Sequence, residues 1–167
     1  MMVRRYLSLL WALPLAAADI CSDIRKASIE VDWPLSPDYE GVLQDYWSTA
    51  CSAMRPRCIL APKDAQEVST IVTMLQGTND KFAVKGGGHM PNVGFSSIDD
   101  GVLIAMRKFK TVEYDEGTQR VVLGPGLKWQ EAQEGIEDTG RTVVGGRMAA
   151  VGIGGYFLGG KKRGLFL

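Results

Sequence analysis

The sequence has a single histidine and only three cysteines among its 167 residues. No two of these cysteines form a Cys-x-x-Cys pair, and a structural zinc site takes about four cysteine or histidine ligands. The basic and acidic residues balance at 19 each, whereas a nucleic-acid-binding domain usually has a basic face. We therefore expect neither a metal centre nor a nucleic-acid partner.

Long apolar runs are also lacking, since no stretch approaches the roughly 20 residues of a membrane-spanning helix. We therefore expect no membrane partner. Residues 1–18 instead have the layout of a secretory signal peptide: two arginines, a mostly apolar stretch at 6–15 and three alanines before Asp19. We expect the signal peptide to be removed and the mature protein to be secreted; a buried N-terminal helix is the alternative.

Secretion would place the three cysteines in an oxidising compartment, where disulfides form. An oxidising compartment and three cysteines predict one disulfide and one remaining thiol among Cys21, Cys51 and Cys58. At this point the sequence leaves open which two of them pair.

Regular patterning begins after an irregular lead-in, which we assign to residues 19–53. The aromatic pair Tyr46 and Trp47 is expected to anchor this lead-in onto the following domain; a ligand-contacting role is the alternative. A helix is then predicted from Asp64 to Gly77, with a capping signal and apolar residues at helical spacing. Further predicted elements are a buried strand at 82–84, a strand at 102–105, a hairpin at 112–123, a helix at 128–139 and a strand at 142–144. This order is typical of a mixed α+β domain.

The only histidine lies at the end of the run Lys85-Gly86-Gly87-Gly88-His89. Consecutive glycines allow the backbone to turn sharply and to lie flat against a large partner. An imidazole presented there is suited to act as a nucleophile or a ligand. The alternative is a glycine turn that precedes an ordinary surface histidine.

A second cluster places seven glycines within residues 145–160. The two clusters together could cradle a large anionic cofactor through backbone N–H groups. A Rossmann fingerprint is rejected, because Phe157 stands where the third glycine after Gly152 and Gly154 is required, and the phosphate loop of nucleotide hydrolases is absent as well. A flexible glycine-rich tail is the alternative interpretation.

Taken together, these segments resemble the secreted FAD-linked oxidases of the vanillyl-alcohol oxidase type, in particular their berberine-bridge-like fungal branch. The resemblance extends over about residues 46–160. The matching segments are Pro56-x-Cys58-Ile59-x-x-Pro62, Val68, Lys85-Gly86-Gly87-Gly88-His89, Gly94-Phe95-Ser96-Ser97, Gly101-Val102-Leu103-Ile104, Gly124-Pro125-Gly126-x-x-Trp129, Gly145-Gly146-Arg147 and Val151-Gly152-Ile153-Gly154-Gly155-x-x-Leu158-Gly159-Gly160.

The resemblance implies an FAD cofactor joined covalently through His89, and a PCMH-type FAD-binding domain of two subdomains. Residues 54–160 would be the N-terminal portion of that domain. The implied cofactor-binding residues are Lys85, Gly86, Gly87, Gly88, His89, Gly94, Phe95, Ser96, Gly145, Gly146, Val151, Gly152, Gly154 and Gly155. Met148 stands where some family members have a second, cysteinyl link, so a single tether is implied. The family setting of Cys58 also favours a Cys21–Cys58 disulfide.

Residues 161–167 do not resemble the family, and we interpret them as an atypical tail on a truncated chain. The resemblance implies an FAD-dependent oxidoreductase that oxidises an alcohol, sugar or related small molecule, with oxygen reoxidising the flavin. This chain would be a fragment without the substrate domain. No catalytic residue is assigned, because Tyr114, Asp115 and Glu116 are better explained as a solvated hairpin turn than as a cluster of bases. The alternative is a non-catalytic secreted remnant that binds flavin weakly or not at all.

Overall fold

The computed structural model describes residues 19–159. The expected signal peptide at 1–18 and the expected tail at 161–167 lie outside these residues. The described strands form one four-stranded mixed sheet and one hairpin, and short helices lie between them in the sequence. This architecture confirms the α+β class.

The lead-in is more regular than the sequence indicated. It contains α1 (Ile20–Lys26), β1 (Val31–Asp32), α2 (Pro37–Gln44) and α3 (Thr49–Ser52). The side chains of Asp19 and Ser36 cap α1 and α2 by accepting backbone N–H groups. These helices are too short to show a clear period, and isolated helices of this length are marginal in water. Packing of their apolar residues, such as Tyr39 and Leu43, into the core stabilises them.

The main sheet has the strand order β1-β2-β4-β3. Its further strands are β2 (Cys58–Leu60), β3 (Phe82–Lys85) and β4 (Val102–Ala105). The last three strands run parallel, whereas β1 is antiparallel to β2. Helix α4 (Ala65–Gln76) connects β2 to β3 and begins at the predicted Asp64 cap, whose carboxylate accepts the Glu67 N–H at 2.9 Å.

Both faces of this sheet are covered by helices. On β4, Val102 and Ile104 belong to the core cluster formed with α1 and α4, while Leu103 and Ala105 belong to the cluster formed with α2 and α3. The strand predicted at 82–84 is confirmed as β3, but only Ala83 of its three residues is buried. Phe82 and Val84, on the other face of this edge strand, are exposed at 47% and 43%.

One disulfide, Cys21–Cys58, joins α1 to β2 with a Cα–Cα distance of 6.2 Å. The cysteine count alone left the pairing open, and the structure confirms the pair that the family resemblance favoured. Cys51 is the free thiol and is fully buried.

The C-terminal part contains a hairpin and two short helices. These elements are β5 (Val112–Asp115), β6 (Arg120–Leu123), α5 (Trp129–Glu134) and α6 (Ile153–Leu158). They surround a separate core of Leu127, Trp129, Ala132 and Ile153. The helix predicted over 128–139 is thus present as α5 and a following 3-10 turn at Glu137–Thr139.

The strand predicted at 142–144 is not formed. Val143 packs against the Trp129 cluster, and its carbonyl accepts the Gln133 side-chain amide at 2.8 Å. No strand among residues 19–159 pairs with this segment. A side-chain hydrogen bond therefore takes the place of the strand pairing that the β-branched residues suggested.

The longest helix among the described residues, α4, has 12 residues. A membrane-spanning helix needs roughly 20. Between residues 19 and 159, no helix combines the length and the apolar composition needed to cross a bilayer.

Candidate functional site

The glycine–histidine run lies at the carboxyl end of β3. In open sheets with parallel strands, ligands bind in the crevice beyond these strand ends. Gly88 has a φ of 70° and Gly94 a φ of 88°, in the left-handed region that favours glycine. The loop of residues 86–97 therefore has glycine at both positions where its backbone takes a left-handed conformation.

The two glycine clusters are in direct backbone contact. A Cβ atom on Gly87 would lie 2.5 Å from the Gly152 Cα, and a Cβ atom on Gly152 would lie 2.4 Å from the Gly87 nitrogen. Gly152 is held in place by an antiparallel bridge to Lys128. The structure thus brings together two segments of the predicted site that are separated by about 60 residues in the sequence, and it does so where side chains would not fit.

The loop presents a run of free hydrogen-bond donors. Within the described part of the chain, no amide N–H of residues 86–90 donates to a backbone or side-chain acceptor. Buried or half-buried N–H groups normally find partners, and consecutive free N–H groups in a turn form a concave site for anions. This part of the loop can therefore hold a phosphate-like group without any side chain.

A cleft with a cavity volume of about 360 Å³ opens beside Gly86 and Gly87. It is bounded by α2, by the ends of β3 and β4, and by the segment that leads into α5. Its charged lining residues are Asp38, Asp45, Lys85, Arg107, Lys110, Lys128 and Glu131. Ligand sites span about 300–1,000 Å³, so the cleft has room for part of a large cofactor.

Lys85 points inward rather than into open solvent. Its Nζ lies 3.1 Å from Asp45 Oδ2 and 4.8 Å from the centre of the Tyr46 ring. The other carboxylate oxygen of Asp45 accepts from Lys128. Two ammonium groups on one carboxylate leave one net positive charge beside the glycine loop, which favours an anion there.

Burial and charge act against each other in this triad. Burial lowers the pKa of Lys85, and the nearby Asp45 carboxylate only partly offsets that effect. Burial also opposes the charged form of Asp45, but the hydrogen bonds and charges of Lys128 and Lys85 outweigh it and lower the pKa of Asp45. Asp45 is therefore the charged centre that holds both lysines.

His89 is half-buried and has an aromatic neighbour that sequence reasoning interpreted differently. The Trp47 ring centre lies 5.3 Å from the imidazole centre, with the planes tilted by 37°. Tyr46 is buried, as expected of an anchor, but the Trp47 side chain is 66% exposed. The sequence showed only two adjacent aromatic residues. It did not indicate that Tyr46 is the buried anchor or that Trp47 lies beside His89.

The remaining predicted residues fall into two groups. Gly94, Phe95 and Ser96 belong to the same loop as His89, and the Ser96 carbonyl accepts the Tyr46 hydroxyl. Gly145 and Gly146 instead lie against the Trp129 indole, where added Cβ atoms would come within 2.1 and 2.6 Å of the ring. Their first role in the structure is to accommodate that ring.

The last members of the predicted set follow Gly152. The Val151 carbonyl accepts the Trp129 N–H at 3.1 Å, and Gly154 packs against Pro125. A Cβ atom on Gly155 would meet no atom within 4 Å. A Cβ atom on Gly86 would lie 3.9 Å from the Gly155 nitrogen. This segment therefore borders the glycine–histidine loop along several residues.

The hairpin turn has no catalytic arrangement. Asp115 accepts the Thr118 hydroxyl at 2.6 Å and the Gly117 N–H at 2.9 Å, and these hydrogen bonds, led by that of Thr118, lower the pKa of Asp115. It is an ordinary Asx turn. Among residues 19–159, no group of three or more cysteine, histidine, aspartate or glutamate side chains is arranged to hold a metal ion.

Comparison with known proteins agrees with this geometry. A family model described as an FAD binding domain matches residues 56–162. An uncharacterized FAD-linked oxidoreductase of Arthroderma benhamiae is 54% identical over 142 residues, which are 84% of this chain and 28% of the relative. An FAD-dependent monooxygenase of Aspergillus niger is 39% identical over 126 residues, which are 75% of this chain and 22% of the relative.

The fold is also similar to solved structures. Glucooligosaccharide oxidase from Acremonium strictum superposes with a TM-score of 0.72 at 20% identity, over 84% of this chain and 29% of that one. The architecture is thus that of part of a PCMH-type FAD-binding domain, and the chain spans less than a third of the length of these proteins. The chain belongs to the FAD-binding-domain family of the FAD-linked oxidoreductases.

Proposed function

We propose that this chain supplies the FAD-holding portion of a secreted oxidoreductase and that His89 is the point of covalent attachment. The parent reaction is the oxidation of an alcohol, sugar or related small molecule, with oxygen reoxidising the flavin. The backbone contact between Gly87 and Gly152 carries this proposal, because it creates a side-chain-free surface beside a run of N–H groups that have no acceptor among residues 19–159.

The chain's own residues fit FAD. The pyrophosphate of FAD requires several donors at close range, and the N–H groups of residues 86–90 meet that requirement without side chains. The net positive charge of the Lys85, Asp45 and Lys128 triad favours the same anion. When bound, FAD supplies the hydride acceptor, and the protein supplies position and electrostatics.

His89 is suited to the attachment because it directly follows the N–H run and remains half-exposed. The Acremonium strictum oxidase is described as carrying a 6-S-cysteinyl, 8α-N1-histidyl FAD. We propose the histidyl link alone for this chain. Met148, which stands at the expected cysteinyl position, is an exposed thioether and cannot form the second link.

Secretion is part of the proposal. The pattern of residues 1–18 and the buried Cys21–Cys58 disulfide both suit an oxidising compartment. A small molecule, rather than nucleic acid or a membrane, is the partner that we propose for the full-length form.

The test is a denaturing gel of the natively secreted protein, viewed under ultraviolet light before staining. The wild type should show flavin fluorescence in a denatured band, H89A should lose it, and M148A should keep it. The band size would distinguish a longer parent protein from this chain alone. Covalent flavin that persists in H89A would overturn the attachment, and a dark wild-type band would favour the non-catalytic remnant.

A further inference from the structure

We propose that residues 45–51 form a platform that fixes the glycine–histidine loop, and that Trp47 is the positioning residue that orients the His89 imidazole. The matched family model begins at residue 56, so this platform lies N-terminal to it. Its effect on flavin attachment rests on the function proposed above, whereas its effect on His89 itself does not.

The platform holds the loop before the histidine through backbone and charge. The Trp47 N–H donates to the Gly88 carbonyl at 3.0 Å. The Asp45 carbonyl lies so close to Gly88 that a Cβ atom there would be 2.8 Å from its oxygen. The Asp45 carboxylate also holds Lys85, the last residue of β3. The loop is therefore fixed where it leaves the sheet.

The platform also holds the loop after the histidine. The buried Cys51 thiol lies 3.4 Å from the carbonyl oxygens of both Met90 and Pro91, so it can donate to either. The Tyr46 hydroxyl donates to the Ser96 carbonyl further along. His89 is thus enclosed between two fixed points that both belong to the same short segment.

A glycine-rich loop needs contacts of this kind to become ordered. Three successive glycines have more backbone freedom than any other residues, and the N–H groups of residues 86–90 have no acceptor among the described residues. The order of this part of the loop must therefore come from outside it. The Trp47 ring, 5.3 Å from the imidazole, then limits the orientations that His89 can adopt.

Trp47 itself can be changed without disturbing the core. Its side chain is 66% exposed, and its hydrogen bond to Gly88 uses the backbone N–H, which every variant except proline keeps. W47A and W47F therefore separate the indole's action on His89 from folding. L35A is the matched control, because Leu35 is an exposed apolar side chain that takes part in none of the platform contacts.

The first experiment uses flavin-free protein and the fact that His89 is the only histidine. Its imidazole Cε1–H resonance in the proton NMR spectrum needs no further assignment. We expect W47A to remove the ring-current displacement of this resonance and to speed the reaction of His89 with diethyl pyrocarbonate several-fold. L35A should retain both wild-type values, and W47F should keep part of the displacement and a reaction rate close to that of the wild type. An unchanged resonance and an unchanged reaction rate in W47A would overturn the platform's action on His89.

The second experiment measures flavin attachment. After incubation with FAD, W47A should bind flavin but yield a much lower acid-stable fraction of it, while W47F should recover most of that fraction. Equal loss of total and acid-stable flavin in both variants would mean a merely structural role and would contradict the proposal. If H89A retained acid-stable flavin, the attachment site would fail, yet the NMR result would still decide the action of Trp47 on His89.

Discussion

Gly87 and Gly152 touch through their main chains, with no space between them for a Cβ atom on either residue. The neighbouring atoms are backbone atoms rather than the ends of flexible side chains, so neither partner can move aside cheaply. This contact joins the loop after β3 to the start of α6, at the edge of the candidate cofactor site.

G87A and G152A should each destabilise the fold by about 1–3 kcal/mol, the usual range for overpacking. Urea unfolding followed by circular dichroism would measure the change. Flavin binding should fall in the same variants, because the loops can no longer meet.

G155A is the matched control for these substitutions. A Cβ atom on Gly155 would meet open space, and alanine favours a helix over glycine by about 0.5–1 kcal/mol. Its stability should equal or slightly exceed that of the wild type, whereas its flavin affinity should fall if the cofactor approaches the α6 backbone. Wild-type stability in G87A would contradict the contact.

Loss of the Cys21–Cys58 disulfide should destabilise the protein by about 3–4 kcal/mol, because the bridge closes a loop with a sequence separation of 37. C21A/C58A and the wild type would be compared by thermal unfolding with and without dithiothreitol. The reductant should lower the wild type to the level of the variant and leave the variant unchanged. If complete reduction left the unfolding temperature of the wild type unchanged, the disulfide would add no stability.

The Asp45 carboxylate should make stability depend on pH in the acid range. Its pKa is lowered in the folded state because Lys128 and Lys85 outweigh the effect of burial. The stabilisation that Asp45 adds to the folded state is therefore complete above the pKa of about 3.9 that it has in the unfolded chain. This stabilisation is lost as the pH falls through the lower pKa of the folded state.

D45N tests this dependence against E113Q, which changes an exposed residue of β5. At pH 7, D45N should lower the free energy of unfolding by about 1 kcal/mol, a modest figure because Asp45 is partly exposed. The gap between D45N and the wild type should close as the pH falls below about 4. A gap that stays constant through acid unfolding would assign the effect to packing instead of charge.

Trp129 should be replaceable by phenylalanine at much lower cost than by alanine. The ring is 2% exposed and fills the space left by Gly145 and Gly146, so W129A should cost about 3–5 kcal/mol. Its indole N–H has no acceptor among the described residues, so W129F loses no hydrogen bond there. Equal destabilisation by both substitutions, measured by urea unfolding, would indicate that the indole N–H has a partner.

Local sequence signals predicted the elements that depend on local physics. The helix at α4 has its cap at Asp64 and its apolar period within one segment, and the hairpin has its turn residues beside its strands. The strand expected at Thr142 failed because a strand requires a neighbour that local sequence does not specify. The short helices between Ile20 and Ser52 were missed because packing, rather than propensity, stabilises them.

The sequence by itself determined the ordered set of motifs and therefore the family, the glycine-rich loop and the placement of its one histidine. Only the tertiary structure decided that Gly87 meets Gly152, that Lys85 turns inward to Asp45, and that Trp47 rather than Tyr46 stands beside His89. The physical reason is that these contacts join segments some 40 to 65 residues apart, where close packing and charge pairing, not backbone preference, select the neighbours.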